Sequence, residues 1–107
     1  MELSVFVEIM RAAERIDKVI RGLEELFDTQ FGDSILIKTQ TDLLDVLVYR
    51  CEWPDAEEDS IIYRYCFEDN WGEKPRTYYV QGEKRIVNSP ETLYNYLIEN
   101  YEYHEGR

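Results

Sequence analysis

Seven apolar residues, Val5, Ile9, Ala12, Ile16, Val19, Leu23 and Leu26, recur at steps of 4-3-4-3-4-3 along the first quarter of the chain. Only an α-helix brings such positions to one side, and a seven-residue repeat held this long makes that side a straight seam. The spacing predicts a helix over residues 3–28, with Ser4 placed to cap it and no proline to interrupt it. Phe6, Met10, Ala13, Ile20 and Phe27 widen the seam into a stripe. The opposite face carries Glu14 with Lys18 and Asp17 with Arg21, each acid four residues ahead of its base, the favourable order. A stripe this wide can cover one face of a sheet. The same seam can serve a helical homodimer, and a long helix projecting beyond a small sheet can do both.

After that helix the pattern changes to alternation. Thr29–Asp33 ends it, with Gly32 able to take the positive φ of a terminating turn. Ser34–Thr39 alternates Ile35 and Ile37 with Leu36 and Lys38, as a strand does, and the short polar Gln40-Thr41-Asp42 reads as a hairpin turn. A second strand follows over Leu43–Glu52, then a loop at Trp53–Asp59 in which Pro54 excludes a central strand. Ser60–Glu68 reads as the third strand, Asp69–Pro75 as a turn, Arg76–Gln81 as the fourth strand, and Gly82-Glu83 as the turn into a short fifth, Lys84–Val87. Hydrophobic matching puts Ile61, Tyr63, Tyr65 and Phe67 on one face with Leu44, Val46, Val48 and Arg50, because a one-residue slip would turn one set away from the core. Leu47, Tyr49, Cys51, Ile62, Arg64 and Cys66 then share the other face. Asn88-Ser89-Pro90-Glu91 opens a last helix: a capping serine, proline at the first helical position and an acid in the first turn. Leu93, Tyr94, Leu97, Ile98 and Tyr101 form its apolar face, and Glu102–Arg107 is expected to fray. The expected fold is a single α+β domain over residues 1–107: a long N-terminal helix, a four- to five-stranded antiparallel meander and a short C-terminal helix.

The charge is lopsided, with 23 acids against 12 bases and a net −11. Residues 31–60 hold eight acids and two bases, so the excess is densest in the middle of the chain. Such a field repels nucleic acid and anionic membrane and attracts basic surfaces. No stretch approaches the roughly 18–20 apolar residues of a membrane span. Met1-Glu2-Leu3-Ser4 lacks the basic start and apolar run of a signal peptide, so a cytoplasmic location is expected.

Chemistry-bearing motifs do not emerge. Across a hairpin closing at residues 53–59, Cys51 and Cys66 would lie roughly 14–17 Å apart at about 3.4 Å per residue, and a disulfide needs about 7 Å. Two buried thiols are expected instead. A cysteine nucleophile needs a histidine, and the single one, His104, falls in the tail. One histidine and two separated cysteines do not complete a zinc site. Asp55-Ala56-Glu57-Glu58-Asp59 begins like a calcium loop but has Ser60 where glycine is required and Cys66 where glutamate is required. The glycines at 22, 32, 72, 82 and 106 build no phosphate cradle. Carboxylates abound, but a domain this small has little room for a saccharide cleft between a catalytic pair. The expectation is a protein with no cofactor, no metal and no catalytic role.

What remains is the acidic surface. Glu52, Asp55, Glu57, Glu58 and Asp59 surround Trp53 at one end of the expected sheet, and Glu68, Asp69 and Glu73 surround Trp71 at the other. An exposed tryptophan ringed by charge is the composition of an interface hot spot. The plainer expectation is that each tryptophan folds back as a lid over solvated acidic loops. In size, net charge, helix–meander–helix order and acid-dense stretches such as Glu52–Asp59, the chain resembles the small acidic proteins that phages use against host defences, anti-CRISPR proteins among them. That resemblance implies an inhibitor acting in the host cytoplasm, blocking the basic nucleic-acid-binding surface of a nuclease or CRISPR effector with carboxylates in place of phosphates. The contacts would be Glu52, Trp53, Asp55, Glu57, Glu58 and Asp59, with Glu68, Asp69, Trp71 and Glu73 as a second patch. Small acidic immunity proteins that cap a toxin nuclease share this character. So do dimeric secretion chaperones, although a second helix usually interrupts their sheet. The alternative is an assembly module that dimerises through the seam of helix 3–28.

Overall fold

The computed structural model of the chain describes residues 2–27, 40–47 and 61–105. Helix α1 runs Leu3–Phe27. It begins earlier than a serine cap would place it: the Phe6 N–H donates to the Glu2 carbonyl at 3.1 Å, so Ser4 lies inside the first turn. The ion pairs Glu14–Lys18 (3.3 Å) and Asp17–Arg21 (2.9 Å) form as their i,i+4 spacing predicts.

The meander is where the structure departs from expectation. Among the described residues the sheet has two strands, not four or five. The residues expected in the second strand are helical over 40–47 (α2), and so is the expected turn at its start. Leu43, Leu44 and Leu47 are spaced i, i+1, i+4, which gathers them on one side of a helix but not of a strand, and leucine favours the helix. Leu44 and Leu47 are buried while Val46 is exposed, so the expected face of Leu44, Val46 and Val48 does not form. The third expected strand is helical too. A short helix, α3, covers Ile61–Tyr63 and widens into a π-turn over Arg64–Glu68, closed by the Asp69 N–H on the Arg64 carbonyl at 2.8 Å. A π-turn rotates less per residue than an α-turn, which lets the consecutive Tyr65, Cys66 and Phe67 all face inward. Their aromatic, β-favouring composition is overridden by this packing. The expected first strand, Ser34–Thr39, and the loop at 53–59 lie outside the described residues, as does Cys51; Cys66 is a buried thiol.

The rest of the chain follows its local signals. Asp69–Gly72 turns sharply, with positive φ at Asn70, Trp71 and Gly72. Strand β1 (Arg76–Val80) pairs antiparallel with β2 (Glu83–Val87), from Arg76↔Val87 to Val80↔Glu83. Their turn, Gln81-Gly82, has positive φ at both residues, the geometry that matches strand twist in a two-residue hairpin. Helix α4 (Pro90–Glu105) starts as its sequence dictates. The Thr92 N–H donates to Ser89 Oγ at 3.2 Å and the Ser89 N–H donates to Thr92 Oγ1 at 2.9 Å, a reciprocal cap with threonine in the usual glutamate position. The helix runs on through Glu105, so the expected fraying from Glu102 is not seen over those residues.

α1 packs on α4, with Phe6 against Tyr94 at 5.3 Å between ring centres, and α4 packs on β2. Tyr78 of β1 stacks on Tyr96 of α4 at 4.5 Å. The expected arrangement, with the long helix over a broad sheet, is thus replaced by a helical layer with a hairpin at its side. The core gathers Phe6 and Met10 of α1, Leu44 and Leu47 of α2, Tyr65, Cys66 and Phe67 of the π-turn, Trp71, and Leu93 and Leu97 of α4.

Candidate functional site

The rotation of α1 decides what the surface offers. Its buried residues are Phe6, Met10, Ala13 and Asp17, themselves spaced 4-3-4. This line lies one residue beyond the heptad seam. It includes the acid that the seam reading had placed on the solvent face. Asp17 is fully buried, and its Oδ2 accepts from Arg21 Nε at 2.9 Å and from Trp71 Nε1 at 3.0 Å. An acid at the end of the buried line tolerates full burial only with such donors. Trp71 therefore pins α1 in the orientation that turns Asp17 inward and the seam outward.

The consequence is an apolar stripe on the outside of the molecule. Val5, Ile16, Val19, Leu23 and Leu26 are 41–75% exposed, while Ile9, between the first two, is half-buried and packs against the core. Away from the stripe, on the opposite side of the helix, Glu14 accepts ion pairs from both Arg11 (3.2 Å) and Lys18 (3.3 Å). Gly22, beside the stripe, has open space around the position a Cβ would take. Scattered exposed leucines are ordinary on a protein surface; a continuous stripe marks a contact.

The acidic residues singled out by sequence fare differently. Glu52, Trp53, Asp55, Glu57, Glu58 and Asp59 lie outside the described residues. Of the second patch, Glu73 is exposed. Glu68 is half exposed between Arg64 Nε (3.5 Å) and Arg76 Nη2 (3.7 Å). Asp69 is buried and accepts from Arg76 Nη2 at 2.9 Å. Trp71 is 9% exposed, edge-on to Tyr65 and Phe67, so it is part of the core rather than an exposed anchor. The plainer expectation, a tryptophan folded back, describes it. Burial raises the phenol pKa of Tyr65, Tyr78 and Tyr96, which keeps all three as neutral hydrogen-bonding groups near neutral pH.

Other features are less developed. An open concavity of about 380 Å³ lies between β2 and α4. Arg85, on its wall, is already engaged by Glu99 at 2.6 Å and Glu83 at 3.1 Å. Among the described residues no cluster of three or more histidine, cysteine or acidic side chains is arranged to hold a metal ion, and no helix is long and apolar enough to cross a membrane. Sequence periodicity had found the residues of the α1 stripe but not their exposure, which depends on a tryptophan 54 positions away from Asp17. Neither protein-family models, nor curated protein sequences, nor solved structures give a match to this chain.

Proposed function

We propose that this protein is a non-catalytic binding module whose docking face is the apolar stripe of α1. The observation that carries the reading is the outward position of Ile16, Val19, Leu23 and Leu26 on a helix held at a fixed rotation by the Asp17–Trp71 hydrogen bond. A face so held is preorganised for a partner, which reduces the ordering cost of binding. The heptad spacing suits a partner that is itself a helix. A photoreactive amino acid placed at Val19 should give one discrete adduct in cells. The same group at Tyr79, which is 68% exposed on the outer face of the hairpin, should not. Identical adduct patterns from the two positions would remove the stripe from consideration.

A second reading keeps the occlusion of a basic nucleic-acid-binding surface, as an inhibitor of anti-CRISPR or immunity type would achieve it. It is supported by the net charge of −11 and by its density in residues 31–60. It rests on the 52–59 stretch, since Asp69 and Trp71 face inward. Against a purified basic partner, affinity should fall by about tenfold or more between roughly 50 and 200 mM salt. Glu57→Lys combined with Glu58→Lys should weaken binding further. Affinity indifferent to both changes would end this reading.

A further inference from the structure

We infer that the exposed face of α1 is the contact between two copies of this chain, paired antiparallel. The inference rests on the reading of α1 as a docking face and names its occupant. The exposed side chains of Ile16, Val19, Leu23 and Leu26, with the exposed Arg15 and Gly22 at their flank, offer roughly 500 Å² per copy, so a two-fold pair buries about 1,000 Å², the lower bound for a specific interface. A patch of that extent is at the upper end of what a monomer leaves open. The period of 3.5 residues is matched along its whole length by another helix of the same repeat, and this chain carries one.

The stripe is also complementary to itself. In the antiparallel register that sets Ile16 against Val19 of the second copy, the half-buried Ala12 meets Leu23 and the half-buried Ile9 meets Leu26, so small or branched residues face long ones. Arg15, on the flank, then lies opposite Gly22 of the second copy, where there is open space, rather than opposite another Arg15. Arg11 and Lys18 lie away from the contact, on the side of the helix where Glu14 holds both. Antiparallel helices also oppose their dipoles. Two bodies of charge −11 repel one another, so the pair should tighten as salt screens them. That dependence is opposite in sign to the one expected for binding a basic partner.

Sedimentation equilibrium of the purified chain at about 50 µM should give a mass near twice 12.9 kDa. The dimer dissociation constant should fall by severalfold as salt rises from roughly 50 to 500 mM. Val19→Asp, at a position 60% exposed and outside the core, should return the mass to that of one chain with the helical circular dichroism unchanged. A wild-type monomer at that concentration overturns the second-copy assignment, and so does a dimer that survives Val19→Asp. If the Val19 photoadduct then contains a different protein, the docking face stands and only its occupant was wrong. If Val19 yields no adduct, both fall.

Discussion

Replacing Trp71 with alanine should destabilise the protein by about 3–5 kcal/mol through lost packing alone. The indole is 9% exposed and stands edge-on to Phe67 at 5.7 Å and to Tyr65 at 6.4 Å. Its Nε1–H is also one of two donors to Asp17 Oδ2, and Asp17 Oδ1 has no hydrogen-bond partner among the described residues. Removing the donor leaves a fully buried acid with Arg21 alone, which adds about 1–3 kcal/mol. A domain of this size has about 5–15 kcal/mol of stability in total. The expected fall in melting temperature is therefore roughly 15–30 °C, read by circular dichroism or calorimetry. Trp71→Phe separates the two causes. It keeps most of the ring and loses the donor, for a cost of about 1–3 kcal/mol. Adding Asp17→Leu to Trp71→Phe should recover part of that loss, because a buried pair removed on both sides strands neither partner. Simple additivity in urea denaturation would show that the two residues are not coupled. An alanine variant as stable as the parent would show that the indole does not hold α1 in place.

The second large effect is expected one residue on, at Gly72→Ala. Gly72 has φ +86, and a Cβ there would lie 2.5 Å from the Asn88 carbonyl oxygen and 3.0 Å from Tyr65 Cε2. The left-handed backbone alone costs alanine about 1–2 kcal/mol. The collision adds to it, because the obstructing atom is backbone and belongs to the residue just before the Ser89 cap of α4. Giving way there means moving the start of α4 or the buried Tyr65 ring, so about 3–5 kcal/mol is expected for the whole change. Gly82→Ala supplies the comparison. Its φ is +82, but nothing lies within 4 Å of the added atom, so only the strain of about 1–2 kcal/mol applies. Equal losses for the two variants, measured by chemical denaturation, would mean that the turn around Gly72 yields without disturbing α4.

The two variants probe one structural device. The π-turn ends with the Trp71 N–H shared between the Tyr65 and Cys66 carbonyls at 3.0 and 3.1 Å. Trp71 itself sits at φ +58, an uncommon conformation for a bulky residue. The strain persists because three separate interactions agree on it: the shared backbone bond, the two aromatic neighbours and Asp17. The turn thus carries information from the centre of the chain to its first helix, and through that helix to the surface.

Legibility in the sequence varied with the range of the signal. The start of α4 was readable because Ser89, Pro90 and Thr92 act on one another within one turn. The β1–β2 hairpin was readable from Gly82, but its turn lies one residue earlier than the expected Gly82-Glu83: Gln81 and Gly82 take the two positive φ values, and Glu83 already pairs with Val80. The ion pairs of α1 were readable because they are four residues apart. Residues 40–42 read as a turn, and 43–47 and 61–68 as strands, yet all are helical. Leu44, Val46 and Val48 alternate as in a strand while Leu43, Leu44 and Leu47 share a helical face, and the aromatic run around Tyr65 has strand-like composition whether or not a π-turn packs it. The expected contact residues were misjudged where a partner was distant. A tryptophan among acids has one composition whether it anchors a complex or fills a core.

By itself, then, the sequence determined that a helix with an apolar seam begins at Leu3, that a hairpin turns about Gly82, and that a capped helix follows. Those outcomes depend on contacts within a few residues. It did not determine which side of α1 is inside. Two lines, Val5–Ile9–Ala12–Ile16 and Phe6–Met10–Ala13–Asp17, share the 4-3-4 spacing, and the first is the more apolar. Tertiary structure chose the second, because the Trp71 indole N–H meets Asp17 across 54 residues and the aromatic core closes around Phe6 and Met10. Of the more apolar line, Val5 and Ile16 were left outside, while Ile9 and Ala12 stay half-buried at the edge of the core.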